Sequence, residues 1–263
     1  SWFDQFDVVI GDEAHLFKAK SLTTIMSKLT GCKYRFGFTG TLDGTQTHKL
    51  VLEGLFGPVR KITTTADLIE QKHLANFQIK AIILKYQDDI RKIMAGADYQ
   101  SEIDFIVRND ARNRFIKNLA LSLSGNTLLL FQFVEKHGKI LYDLISQEAV
   151  ERKVFFIHGA IDGEKREDIR KIIETETNAI VVASYGTSST GINIRNLHNV
   201  LFASPSKSRV RNLQSIGRGL RTSESKMKAT LYDIADDLSW KSKKNHTILH
   251  FVERIKIYND CLL

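Results

Sequence analysis

Short apolar runs alternate with amphipathic stretches along most of this chain, and their spacing separates strands from helices. Asp7 to Gly11 contains Val8-Val9-Ile10 and predicts a buried strand. Residues 18–30 place Leu22, Ile25, Met26 and Leu29 at helical intervals. Tyr34 to Phe38 predicts a second strand that runs into Thr39-Gly40-Thr41. His48 to Leu55 predicts a helix stopped by Gly57-Pro58, a strong breaker pair. Between 59 and 86 the pattern predicts a short helix, Thr65 to Lys72, and a β-rich run, Ile79 to Tyr86. Asp88 to Leu123 is mostly helical and heavily charged, as expected of a connection into a second lobe.

Beyond that connection the alternation becomes regular. Strands are predicted at Thr127 to Phe133, Lys153 to His158, Ala179 to Ser184, Val200 to Ala203 and Thr230 to Ile234. Helices are predicted at Glu135 to Gln147, at Gly163 to Glu174 with Ile169, Ile172 and Ile173 on one face, and at Arg209 to Leu220. The tail, His246 to Tyr258, spaces Ile248, Leu249, Val252 and Ile255 as a helix packing on the second lobe. Continuous apolar strands separated by amphipathic helices predict an α/β fold with parallel sheets covered on both faces. The expected organisation is a truncated first lobe, 1–86, and a complete second lobe, 87–263.

Composition changes this picture little. The 263 residues suffice for two lobes, and no apolar run approaches the ~20 residues of a membrane helix. No secretory leader is visible at Ser1, and Cys32 and Cys261 match no metal or redox spacing. A reduced, cytoplasmic protein is expected. The net charge of +8 favours a polyanionic partner.

Two constellations carry chemistry. Asp12-Glu13-Ala14-His15 follows the first strand and places two carboxylates at its C-terminal end, where open α/β sheets bind ligands. Hydrolysis of a γ-phosphate needs Mg²⁺ to offset charge and a polar group to orient water, roles that adjacent acids can divide. An isolated Asp-Glu pair more often caps a helix; the strand before and the Ala-His after set this one apart. No second histidine stands at ligand spacing from His15, so a hydrogen-bond relay between lobes is a better reading than a metal ligand, with a satisfied structural histidine as its rival. Near the other end, Gln214-Ser215-Ile216-Gly217-Arg218-Gly219-Leu220-Arg221 sets Arg218 and Arg221 three apart on one helical face. Arginines so placed can reach one polyphosphate; the bland rival is a solvated basic face. Between them, Ser184 to Asn193 predicts a loop of hydroxyls and glycines at a strand end, suited to holding phosphates. A phosphate-cradling Gly-x-x-x-x-Gly-Lys-[Ser/Thr] is absent, so that element is expected upstream in a longer protein.

In these residues the chain resembles the motor core of a superfamily 2 helicase of the Asp-Glu-Ala-His type. Asp12 to His15 is similar to motif II, Thr39 to Thr41 to motif III, and Leu128 to Phe133 to motif IV. Phe156-Ile157-His158-Gly159 resembles the small motif that follows, Ser184 to Asn193 motif V, and Gln214 to Arg221 motif VI. The resemblance implies RecA-like lobes, with ATP and Mg²⁺ as cofactors. It implies that Asp12 holds the metal through water and that Glu13 polarises the attacking water. Gln214, Arg218 and Arg221 would face the γ-phosphate, with His15, Gly191 and Asn193 near the nucleotide; many relatives carry Asp where Asn193 stands. Thr39 and Thr41 would transmit the state of the acidic site to the partner lobe and count among the nucleic-acid-binding residues. Gln132, Phe133, His158, Gly159, Thr187 and Thr190 would line a nucleic-acid track.

The activity so implied is that of an ATP-dependent helicase or translocase on branched or single-stranded DNA and RNA–DNA hybrids, in recombination, repair and replication control; the sequence leaves the oligomeric state open, with a monomer favoured. Without motif I, the chain alone is expected to be inactive. Three rivals share these motifs: an RNA helicase, a duplex translocase of a restriction or remodelling complex, and a nucleic-acid-binding module without catalysis.

Overall fold

The computed structural model describes residues 2–40, 42, 46–63, 76–190, 196–205 and 228–262. The chain divides into two compact units, 1–64 and 65–263. In the first, strands β1 (Val8–Gly11) and β2 (Tyr34–Gly37) pair in parallel, Val8 opposite Tyr34 and Gly11 opposite Gly37. Helix α1 (Lys20–Lys28) joins them and α2 (Gln46–Phe56) follows. Met26, Leu29 and Cys32 form a small core with Val9, Phe17, Leu55 and Phe56. The opposite face of the strand pair is not covered among the described residues: Val8, Ile10, Tyr34, Phe36 and Phe38 are all exposed.

The second unit is built on a six-stranded sheet, parallel throughout. Its strands are β3 (Asn76–Lys85), β4 (Thr127–Phe131), β5 (Val154–Ile157), β6 (Ile180–Ser184), β7 (Asn199–Phe202) and β8 (Lys228–Asp237), in the order β3-β8-β7-β4-β6-β5. Every residue of β4, β6 and β7 is buried, which explains their unbroken apolar runs. Alternate side chains serve two cores. Leu128, Leu130, Val181, Val200 and Phe202 pack with Ile173 of α7 (Gly163–Thr175) and Tyr258 of α9 (His246–Leu262). Leu129, Phe131, Ile180, Val182 and Leu201 pack with Ile116 of α5 (Asp110–Ser122) and Ile145 of α6 (Lys139–Glu148). Burying one such side chain stabilises the fold by about 1.5–3 kcal/mol.

The expected boundary at 86/87 differs from the division at 64/65. The β-rich run is β3, and it pairs along its whole length with β8 in the second sheet, Asn76 opposite Lys228 and Lys85 opposite Asp237. Its apolar pattern suits either sheet, so only pairing assigns it. The charged connection forms α3 (Asp88–Met94), α4 (Tyr99–Arg108) and α5, with Asp98 and Asn109 capping the last two through Ser101 N–H (2.7 Å) and Arg112 N–H (2.9 Å). The predicted helices at 65–72 and 209–220 lie outside the described residues. No helix among the described residues is long and apolar enough to cross a membrane.

Buried charges pin the helices to the sheet. Glu102 of α4 accepts from the N–H groups of His246 (2.9 Å) and Thr247 (2.7 Å), capping α9 from outside. Arg254 of α9 meets both carboxylate oxygens of Asp233 at 2.8 Å, and the Tyr258 hydroxyl donates to the same carboxylate. Asp233→Ala is expected to cost about 3–5 kcal/mol by stranding a buried guanidinium. Removing the exposed Lys256–Glu253 pair by Lys256→Ala should cost under about 1 kcal/mol. Urea unfolding of the two variants checks the contrast.

Candidate nucleotide and nucleic-acid sites

The acidic turn is shaped by two glycines. A Cβ on Gly11 would lie 2.8 Å from Phe56, and one on Gly37 2.9 Å from the same ring. Phe56 and Phe17, in edge contact at 5.0 Å between ring centres, therefore press directly against the ends of both strands. The ladder continues past them, with Phe38 N–H donating to Gly11 (2.8 Å) and Ala14 N–H to Phe38 (2.8 Å). This brings the two loops together. Asp12 is exposed and its carboxylate accepts from Glu13 N–H at 2.8 Å. Glu13 takes the left-handed conformation, φ 47°, uncommon for a residue with a side chain.

His15 is 3% exposed. Its Nδ1 lies 3.2 Å from the Glu13 carboxylate and 2.9 Å from the Thr39 hydroxyl. The one ring nitrogen faces both groups. The imidazole thus stands between the acidic turn and the loop after the second strand. Thr41 lies outside the described residues. No group of three or more metal-ligating side chains occurs among the described residues. The oxygen donors of Asp12 and Glu13 still fit Mg²⁺, which binds through one or two carboxylates together with water and substrate phosphates.

The second constellation gathers where β4, β5, β6 and β7 end. Gln132 is exposed, and its N–H donates to the Ser204 hydroxyl at 3.1 Å. Ser204 Oγ stands 2.8 Å from Nδ1 of His137, whose Nε2 stands 3.2 Å from Asn113 Oδ1. Asn113 Nδ2 donates to Val107, so its Oδ1 faces the ring and Nε2 carries the proton. Nδ1 then accepts from Ser204, completing a chain of four groups in one consistent direction. The Tyr185 hydroxyl donates to the Ser204 carbonyl at 3.0 Å. Ser204 therefore fixes the turn after β4 and the residue after β6 to one another. His137 lies on a single wide helical turn, Val134–Gly138, that exists because Gly138 lacks a side chain. A Cβ there would lie 2.4 Å from the Phe131 ring.

The expected loop after β6 is a short helix, α8 (Tyr185–Thr190). Ser184 explains the difference, since its hydroxyl accepts from Thr187 N–H (3.3 Å) and contacts the Thr187 hydroxyl (2.7 Å), organising the first turn. Thr187, expected to line a track, is buried and its hydroxyl is engaged with Ser184. Thr190 closes this helix. Gly191, Asn193, Gln214, Arg218 and Arg221 lie outside the described residues. Phe133 is half-buried, with the Lys136 ammonium 5.9 Å from its ring centre. His158 is half-buried against Phe156 at 5.0 Å, and Gly159 is exposed. Sequence reasoning missed Ser204, His137 and Asn113. Nothing marks them along the chain, because their roles arise from three separate elements.

Residues 110–223 match the helicase conserved C-terminal domain, and the chain carries this C-terminal lobe of the superfamily 2 helicases. It is 36% identical over 272 residues to the ATP-dependent DNA helicase uvsW of Enterobacteria phage T4, spanning 98% of this chain and 54% of that protein. It is 25% identical over 244 residues to a putative ATP-dependent RNA helicase, L396, of Acanthamoeba polyphaga mimivirus, spanning 89% of this chain and 44% of that protein. The crystal structure of T4 UvsW superposes with a TM-score of 0.60 and 33% identity over 98% of this chain and 53% of that one. The type ISP restriction-modification enzyme LlaBIII bound to DNA shares the fold, with a TM-score of 0.64 at 16% identity over 97% of this chain and 20% of that one. The chain spans about half the length of the curated relatives it matches.

Burial, and to a lesser degree the Arg112 charge, hold His137 well below its ordinary value of 6.5. The unfolded chain takes up a proton near that pH which the folded chain refuses. Stability from the neutral ring is therefore intact above about pH 6.5 and declines as pH falls below it. Thermal unfolding between about pH 7 and pH 5 should show this loss, and His137→Gln should flatten it. An unchanged slope in the variant would assign the loss elsewhere.

Proposed function

We propose that this chain is the later part of an ATP-dependent DNA helicase or translocase that remodels branched DNA: junctions, displacement loops, RNA–DNA loops and stalled forks. The observation that carries the reading is the Glu13–His15–Thr39 cluster at the ends of β1 and β2, in a chain 36% identical to a phage DNA helicase. Asp12 would hold Mg²⁺ through water, and the ion would offset phosphate charge. Glu13 orients and polarises the attacking water. Its geometry is kept by His15, which ties the carboxylate to Thr39 and so couples the acidic turn to the neighbouring loop. Gln214, Arg218 and Arg221 supply donors and positive charge to the γ-phosphate, a contribution of ~10³–10⁵ in rate where arginine fingers have been measured. Gln132, Phe133, His158 and Gly159 hold the nucleic-acid backbone, largely without reading sequence. Thr190 belongs to this track and Gly191 and Asn193 to the nucleotide side.

A second reading, an RNA helicase, is favoured by the similarity to the mimivirus protein. ATP turnover by the full-length protein with branched DNA, with RNA and with neither separates the two. DNA-stimulated turnover, lowered at least ~10³-fold by Arg221→Ala, supports the first reading. Stimulation by RNA alone selects the second, and turnover indifferent to both nucleic acids and to Arg221 overturns both. The 263-residue chain by itself, which lacks a phosphate-cradling loop, is expected to show negligible Mg²⁺-dependent turnover.

A further inference from the structure

The β3–β8 ribbon is longer than the rest of the sheet. Phe202, the last residue of β7, is opposite Asp233, and β8 continues four residues further, to Asp237. At ~3.3 Å per residue the ribbon projects ~13 Å past its neighbour. Its tip is a tight turn. Trp240 and Lys243 exchange two backbone hydrogen bonds, both 3.0 Å, and Lys241 between them takes a left-handed φ of 52°. The turn is held from beneath. Asn245 Oδ1 accepts from Leu238 N–H at 3.0 Å and its Nδ2 donates to Glu102 at 2.7 Å. Arg91 donates to the Ser239 carbonyl at 3.2 Å and lies 5.8 Å from the Trp240 ring centre.

This rigid turn presents Lys241, Lys243 and Lys244, all exposed. None of the three has an ion-pair partner among the described residues. From Leu238 to Val252 the sequence contains no acidic residue. Exposed Lys85 ends β3 opposite Asp237, beside the same tip; the nearest acids in sequence are Asp88, which pairs with Arg91, Asp89 and Asp237. All six strands are parallel, so the tip lies at the edge that carries Gln132, Phe133 and His158. With strands ~4.8 Å apart, it stands ~10 Å from the β4 end and ~19 Å from the β5 end along that edge. Duplex phosphates recur every ~3.4 Å along each strand, so such a span covers several phosphates.

We infer that the turn at Trp240–Lys244 is a further nucleic-acid contact, binding the phosphate backbone beyond the track formed at β4 and β5. Its lysines act as fixed point charges: they add affinity and on-rate and read no sequence. The inference rests on the nucleic-acid reading above, and the experiment separates the failure of one from the failure of the other.

The 263-residue chain is titrated against a fluorescein-labelled single strand and the matching duplex across a salt series, by fluorescence anisotropy. Two triple variants remove equal charge: Lys241→Gln/Lys243→Gln/Lys244→Gln at the tip, and Lys153→Gln/Lys171→Gln/Lys256→Gln, exposed and on other parts of the unit. The tip variant is expected to bind about 10-fold more weakly at low salt, with the slope of log K against log salt shallower by about 2–3; the control keeps most of both. A larger change with duplex assigns the contact to a duplex arm, and a larger change with the single strand to an extension of the track. If both variants weaken equally, or neither does, while the unaltered chain binds, the turn is not a contact. If the tip variant instead loses only binding to poly-glutamate, the turn serves an acidic protein and the inference falls. Absence of any DNA or RNA binding by the unaltered chain overturns the nucleic-acid reading itself.

Discussion

Parallel pairing of six strands is the constraint from which the rest of the second unit follows. Such a sheet leaves no face to solvent, so β4, β6 and β7 must be apolar on both sides and helices must cover both cores. Each strand then has to emerge at the same edge before its chain turns back. Gln132, His158, Tyr185 and Ser204 follow β4, β5, β6 and β7 within one or two residues, and this shared exit turns residues far apart in sequence into neighbours. Ser204 makes that adjacency precise. It receives the Gln132 N–H on its hydroxyl and the Tyr185 hydroxyl on its carbonyl, while its own proton goes to a neutral imidazole.

Much of this architecture is legible in the chain, for a physical reason. Thr-Leu-Leu-Leu-Phe before Gln132 and Ile-Val-Val-Ala-Ser before Tyr185 are unbroken apolar runs on strands covered on both faces, and Val-Val-Ile-Gly before Asp12 reads as a strand in the same way although Val8 and Ile10 are exposed. Pairing was less legible. Ile79 to Tyr86 reads as a strand without saying which sheet takes it, and its assignment to the second unit depends on Lys228–Asp237, more than a hundred residues later. The hydroxyl-rich stretch after β6 reads as a loop because Gly, Ser and Thr disfavour helices; one Ser184 cap outweighs that propensity over six residues. Of the candidate site, the Glu13–His15–Thr39 cluster was foreseeable from two motifs on successive strands, whereas Ser204, His137 and Asn113 belong to no motif.

Buried charge plays a different part. Arg112 grips Asp236 through two hydrogen bonds, 2.7 and 3.0 Å, and the Tyr86 hydroxyl adds a third at 2.7 Å. Arg254 repeats the pattern on Asp233. Both aspartates stand on β8, and the arginines come from α5 and α9, which cover opposite faces. Such pairs add little net stability compared with apolar residues of the same volume, but a slipped register would strand a charge. They fix how the helices sit on the longest strand, and hence where its basic tip points.

The first unit is built differently. Among the described residues, Val8 and Ile10 on β1, Tyr34 and Phe36 on β2, and Phe38 just after it are exposed, and Met26, Leu29 and Cys32 form the buried core of the other face. Surface of that kind gives any covering segment a thermodynamic grip on the acidic turn. A segment that packs there only in the folded state stabilises that state by RT ln(1 + [L]/Kd), with [L] its free or effective concentration. Asp12 and Glu13 follow β1 without a break, so the folded population of the acidic turn is that of the strand pair.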